Sequence, residues 1–231
     1  MAKPLSILAI AAFIAPTIAA PASAQAPRPA VIELYQSQGC SSCPPANANL
    51  NAIADRPGVV ALSFAVTYWD QLGWKDTFDS PAYTARQWDY AHAAGRKQVA
   101  TPQMIINGRA AIVGGNRGQL DQAIAAAKRQ PGPAIQAANG KVMVGHGTAR
   151  NPATVWLVRY DPRTLNVAIR AGENGGRTLP HRNIVRSLAP LGRWTGAPAT
   201  FAIPASGNPA YRTAVLVQEG KGGPVVAATK F

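Results

Sequence analysis

The sequence predicts an α/β protein in two parts: a first domain over residues 25–132, with a helical insertion at about 68–98, and a small antiparallel β-sandwich-like domain over 133–231. Three observations predict it. A strand–helix–strand pattern runs from Val31 to Val66, with Cys40 and Cys43 where strand gives way to helix. Pro131-Gly132-Pro133 interrupts the chain. After that break come short strand-like runs separated by turn residues, the pattern of an antiparallel sandwich.

Ahead of these elements, Lys3, the apolar run Leu5 to Ala20 and then Ala22-Ser23-Ala24 have the form of a secretory signal peptide over residues 1–24. The run is short and is broken by Pro16, which does not suit a membrane-spanning helix. The expectation is cleavage near Ala24 and a periplasmic or secreted protein.

Val31 to Tyr35 reads as a strand, with β-branched and aromatic residues. Pro44 to Ala54 reads as a helix: Ala46, Leu50 and Ile53 recur at helical spacing, and proline is tolerated in a first turn. Pro57-Gly58 ends it, and the apolar run Val59 to Val66 fits a buried parallel strand. Tyr68 to Tyr90 is dense in aromatics, among them Trp69, Trp74 and Trp88. Leaving the strand end on the side of the cysteine turn, this segment is expected either to wall a groove beside the cysteines or, with Trp69, Trp74 and Trp88, to cap the core of the domain. Within it, Ser80-Pro81 marks a helix start, with the helix over Pro81 to Ala94 and Gly95 closing it. Asn107-Gly108 between Gln103–Ile106 and Ala110–Val113 is a hairpin signal. Gln119 to Arg129 reads as a helix.

In the second half, Asn139-Gly140 joins Ile135–Ala138 to Lys141–Val144 as another hairpin. Thr154–Tyr160, Leu165–Ala171, Thr200–Ile203, Ala214–Gln218 and Pro224–Thr229 read as strands, and Asn183–Leu188 as the one helical segment. The formal charge of +13 is concentrated here: residues 136–231 carry twelve Lys and Arg against three Asp and Glu. For an exported protein this excludes nucleic acid as the natural partner. It leaves a solvated basic face, or contact of the second domain with an anionic surface.

Cys40 and Cys43 are the only cysteines. A disulfide across so short a loop constrains the unfolded chain little, which favours redox chemistry over bracing. A cysteine at a helix start is activated by unpaired N–H groups and the helix dipole. Cys40 is therefore the expected attacking thiol, facing solvent, and Cys43 the resolving one, with Ser41 and Ser42 as hydroxyl donors and Gly39 allowing the sharp turn. Other readings stay open. Zinc would need two further ligands at short spacing, and His92, His146 and His181 are scattered. A copper-handling thiol site could use both cysteines and one histidine. A fixed structural disulfide also suits an exported protein. No cofactor and no resident metal is expected.

In residues, the first domain resembles the thioredoxin superfamily. Cys40-Ser41-Ser42-Cys43-Pro44 after a strand looks like its active-site motif, and Thr101-Pro102-Gln103-Met104-Ile105-Ile106-Asn107-Gly108 like its cis-proline strand. The resemblance implies a cis Thr101–Pro102 bond beside the cysteines, with Thr101 and Pro102 as substrate contacts. It also implies a buried carboxylate that takes a proton from the second cysteine; Glu33 is the nearest candidate, one residue further from the motif than the family's spacing. Gly39 stands where thioredoxins carry tryptophan. More narrowly, the chain resembles a secreted bacterial domain-of-unknown-function family, number twelve-twenty-three. The matching stretches are Glu33-Leu34-Tyr35, Ser37 to Ala46, Tyr68-Trp69-Asp70, Leu72 to Asp76, Thr101 to Met104 and Gly172 to Leu179. The function implied is thiol–disulfide exchange with cysteine-containing envelope proteins or a redox partner, with a non-enzymatic binding protein as the alternative.

Overall fold

The computed structural model describes residues 29–127 and 132–231. Residues 1–24, read above as a signal peptide, lie outside them. In chain order the elements are β1 (Ala30–Gln36), α1 (Cys43–Ile53), β2 (Val59–Ala65), a 3-10 turn (Asp70–Leu72), α2 (Pro81–Ala93), β3 (Gln103–Ile106), β4 (Ala110–Ile112) and α3 (Arg117–Ala126). Then follow β5 (Ile135–Ala138), β6 (Lys141–Val144), β7 (Ala153–Asp161), β8 (Leu165–Ala168), β9 (Thr178–His181), β10 (Ile184–Trp194), β11 (Ala199–Ala202), β12 (Arg212–Glu219) and β13 (Val225–Lys230).

The protein is a mixed α/β structure with few helices, built on one large sheet of order β13-β12-β7-β10-β2-β1-β3-β4. β1 and β2 are parallel, as their connection through α1 requires. β3 runs antiparallel to β1. Both Asn-Gly hairpins form, with positive φ at Asn107, Gly108, Asn139 and Gly140, the conformation that favours this dipeptide in two-residue turns. α2 starts at Pro81, with the Ser80 side chain accepting the Ala82 N–H, and Gly95 follows its end at φ +67°.

Side-chain alternation sorts the core by face. Val31, Tyr35, Val60, Leu62 and Phe64 pack with Tyr83 and Tyr90 of α2. Ile32, Leu34, Val59 and Ala61 pack with Ala46, Leu50 and Ile53 of α1 and Leu120 of α3. On the outer half of the sheet, Val155, Leu157, Val215 and Val217 pack with Val142 and Val144 of the small β11-β6-β5 sheet.

Two expectations differ from the structure. Of the strands after residue 133, β7, β10, β12 and β13 join the sheet of the first half, while β5, β6 and β11 form the small sheet packed on it. β10 pairs in parallel with β2 at Ile184 and Ser63, and Val158, Tyr160, Val185, Ala214 and Leu216 share one core cluster with Val31 and Phe64. In the segment Asn183–Leu188, read as helical, Ile184 to Leu188 belong to β10 and Asn183 is the left-handed residue just before it. Ile184, Val185 and Leu188 imitate a helical spacing because register shifts at Val185/Ser187 and Pro190/Gly192 break the strand's alternation.

Candidate functional site

Cys40 and Cys43 are joined as a disulfide with a χ3 of 85°. α1 begins at Cys43 itself, with Ser42 at the N-cap and Pro44 in the first turn. Backbone bonds fold the approach: the Cys40 N–H donates to Ser37 O at 3.2 Å and the Cys43 N–H to Cys40 O at 3.1 Å. Ser42 Oγ lies 3.3 Å from Cys40 Sγ and 3.5 Å from Thr101 O, so Ser42 links the disulfide to the 101–102 loop. The Thr101–Pro102 bond is cis, and Pro102 is buried while Thr101 is half-buried.

Two indoles hold this neighbourhood. Trp69 Nε1 donates to Thr101 Oγ1 at 2.7 Å, and Trp74 Nε1 donates to Gln38 Oε1 at 2.9 Å. Both rings are half-buried. Trp88 stands apart on α2, its ring 5.3 Å from that of His92. The aromatic segment thus brings Trp69 and Trp74 to the cysteines and leaves Trp88 elsewhere. Beneath Gln38, Asp76 is buried and accepts the N–H groups of Gln38 and Phe78. Burial pushes its carboxyl up to about 6.

Cys40 does not face solvent: its relative exposure is 0%, and that of Cys43 is 1%. Over the motif sits the loop that joins β8 to β9. The Asn174 side-chain amide donates to Gln38 O at 2.9 Å and to Cys40 O at 2.8 Å, and its own oxygen accepts from Arg177. Glu173 Oε2 accepts the Ser41 N–H at 2.9 Å, and hydrogen bonding by the Ser41 side chain and then its backbone holds the carboxyl below the ordinary range. Gly172, at φ +71°, is packed so close that a side chain there would meet Trp74 Cβ at 3.3 Å and Gly39 Cα at 3.9 Å. Glu173 and Asn174 are the site residues that sequence reasoning missed. Their trace in the sequence was the Gly172–Leu179 stretch, which carried a family resemblance and no role.

Glu33 is not brought to the cysteines. It shares a face of β1 with Val31 and Tyr35, whereas α1 covers the face of Ile32 and Leu34. One extra residue of spacing turns it away. There it is saturated: Arg86 binds it at 2.7 and 3.0 Å, and the Tyr35 and Tyr90 hydroxyls donate to it at 2.9 and 2.6 Å. The structure thus seats Glu33 in a buried cluster with Arg86, Tyr35 and Tyr90, instead of beside Cys43 where the resemblance placed it.

On the α1 side a different polar group is buried. The Asn47 amide, one turn on from Cys43, donates to Pro180 O at 2.8 Å and lies 3.1 Å from His181 Nδ1. The carbonyl contact fixes the amide nitrogen toward His181, so Nδ1 accepts and the proton of the neutral ring sits on Nε2. Burial brings the His181 pKa down to about 4. His181 Nε2, Asn47 Oδ1, Ser63 Oγ and Gln36 Oε1 are buried without a protein partner. Among the described residues, no three His, Cys, Asp or Glu side chains gather to hold a metal ion, and no helix is long and apolar enough to cross a membrane. A separate cleft of about 470 Å³ opens between α2 and the outer strands, lined by Arg86, Trp156, Leu188 and Arg193.

Fold and site together define a mixed α/β protein with a buried Cys-x-x-Cys disulfide at the start of a helix, under a hairpin loop. The chain belongs to the family described as protein of unknown function (DUF1223), which it matches over residues 31–218. It is similar to a protein of Agrobacterium tumefaciens known from an X-ray crystal structure, at 31% identity and a TM-score of 0.74, over 87% of this chain and 93% of that one. It shares a fold with HBP35 of Porphyromonas gingivalis, at 9% identity and a TM-score of 0.57, over 88% of this chain and 74% of that one. No curated protein matches the chain.

Proposed function

We propose that this is an exported, thioredoxin-like protein that exchanges disulfides with cysteine-containing proteins of the cell envelope through Cys40 and Cys43. The observation that carries this reading is the juxtaposition of the disulfide, at the start of α1, with the cis Thr101–Pro102 loop, linked through Ser42. In the reduced protein the Cys40 thiolate attacks a substrate disulfide, forming a mixed disulfide and releasing one substrate thiolate. Cys43 then gives up its proton to water and attacks Cys40 Sγ, releasing the second thiolate. In this direction two electrons pass from the dithiol to the substrate and a thiol reductant restores the dithiol; the reverse steps pass two electrons from a substrate dithiol to the Cys40–Cys43 disulfide. Thr101 and Pro102 are the proposed substrate contacts, with Trp69 bracing Thr101. Export rests on the pattern of residues 1–24. The basic second half suits an anionic envelope surface.

Burial of both sulfurs favours a second reading, a fixed disulfide in a binding protein. One experiment separates them. With Cys43→Ser, exchange predicts that mixed disulfides through Cys40 accumulate in cells and that the wild type catalyses reduction of insulin by a small thiol. A disulfide that stays oxidised in the folded protein under millimolar thiol, with no trapped partner, establishes the fixed reading.

A further inference from the structure

The exchange reading leaves open whether the pair works as an oxidant or a reductant. The residue that bears on this lies on the β8–β9 loop. An N–H next to an attacking sulfur is a natural donor to its thiolate, and such donors make a Cys-x-x-Cys pair oxidising by stabilising the reduced form. Here the Ser41 N–H, next in the chain to Cys40, is already taken by the carboxylate of Glu173 at 2.9 Å. The side chain is held there by more than that bond. Asn174, fully buried, ties the loop to the carbonyls of Gln38 and Cys40, and Gly172 backs onto Gly39 and Trp74. Among the described residues Glu173 has no cationic partner within ion-pair distance, and the guanidinium of nearby Arg177 is engaged by Asn174 Oδ1.

We propose that Glu173 is a positioning residue that sets the direction of exchange: held at the Ser41 N–H, its carboxylate places a like charge beside a Cys40 thiolate, so the protein acts as a reductant of other disulfides. The inference rests on the exchange reading. The step is the one already written: two electrons leave the Cys40/Cys43 dithiol, the substrate disulfide becomes two thiols, and a thiol reductant regenerates the dithiol. In the disulfide state no charge sits on sulfur, so Glu173 costs nothing there. In the reduced state it opposes the thiolate, and the balance moves toward the disulfide.

The test is Glu173→Gln, which keeps an oxygen for the Ser41 N–H and removes the charge. Wild type and variant are equilibrated in glutathione redox buffers, and Cys40 alkylation is followed against pH. The expected result is an equilibrium constant for reduction roughly three- to tenfold higher in the variant, a tenfold change being about 30 mV. The alkylation midpoint should move to lower pH. A second measurement needs no substitution: raising salt to about 1 M screens exposed charges and should shift the wild type the same way, leaving E173Q nearly unmoved. Equal constants and equal midpoints in the two proteins would overturn the proposal and leave Glu173 as a clamp alone, as would a shift of opposite sign. Failure of the exchange reading shows elsewhere, in wild type that transfers no electrons to insulin, whatever the ratio between wild type and E173Q.

Discussion

Acid should act on this fold through two buried groups that pull in opposite directions, His181 and Asp76. His181 is buried and neutral, with its pKa near 4 against an ordinary 6.5. Between those values the unfolded chain takes up a proton that the folded chain refuses, so stability falls as pH falls through that window. At 1.36 kcal/mol per unit the loss is about 3 kcal/mol. Asp76 is the converse, with its carboxyl near 6 against 3.8. Between those values the folded chain holds a proton that the unfolded chain has lost. Acidification therefore adds stability, again about 3 kcal/mol. Taken alone the two nearly cancel between pH 6.5 and 4, while Asp79, which burial and the neighbouring Asp70 raise to about 7, adds a further gain on acidification. The perturbation is to remove one at a time. His181→Gln keeps an acceptor for the Asn47 amide and loses the proton-binding site. Relative to wild type it should gain about 3 kcal/mol on going from pH 7 to pH 4. Asp76→Asn should lose a similar amount over the same range, on top of any constant cost from its altered hydrogen bonds to Gln38 and Phe78. Urea unfolding at pH 7, 5.5 and 4 gives each difference directly. Variants whose stability tracks the wild type in parallel at all three values would refute the reasoning.

Three further outcomes follow from the contacts. Arg86→Met leaves Glu33 buried without its cation and should cost about 3–5 kcal/mol in urea unfolding, with Cys40 chemistry unchanged in the folded protein. Asn174→Ala frees the carbonyls of Gln38 and Cys40; it should cost about 1–3 kcal/mol and speed reduction of the disulfide by dithiothreitol, read by mass after alkylation. Trp69→Phe removes the donor to Thr101 while keeping a ring; stability should change by only about 1 kcal/mol, while exchange with a protein disulfide slows more than exchange with a small one.

Local chemistry made much of this fold legible. The Ser80-Pro81 start, the two Asn-Gly turns and the Ala46/Leu50/Ile53 stripe each follow from rules that act within a few residues, and each forms as expected. The misreadings have a common cause in distance or irregularity. β10 carries two register shifts, which destroy the period by which a strand is read. Glu33 is placed by a single residue of phase, and its real partner Arg86 lies 53 positions on. Glu173 and Asn174 reach the cysteines from more than 130 residues away, a separation over which no local pattern carries information. The exposure of Cys40 was misjudged for that reason: the helix start was legible and its cover was not.

The pairing of β10 with β2 has a consequence for how the chain is made. Until Ile184 has emerged, β2 has no neighbour on its β10 side, and the apolar residues around Val60 and Phe64 lack Tyr160, Val185 and Leu216. A chain released at Pro133 would therefore carry a bare, β-branched strand margin able to recruit another copy. Synthesis of β10 and its docking beside β2 is what closes that margin. A premature stop anywhere before β10 should yield sticky, protease-sensitive fragments instead of a half-sized working protein.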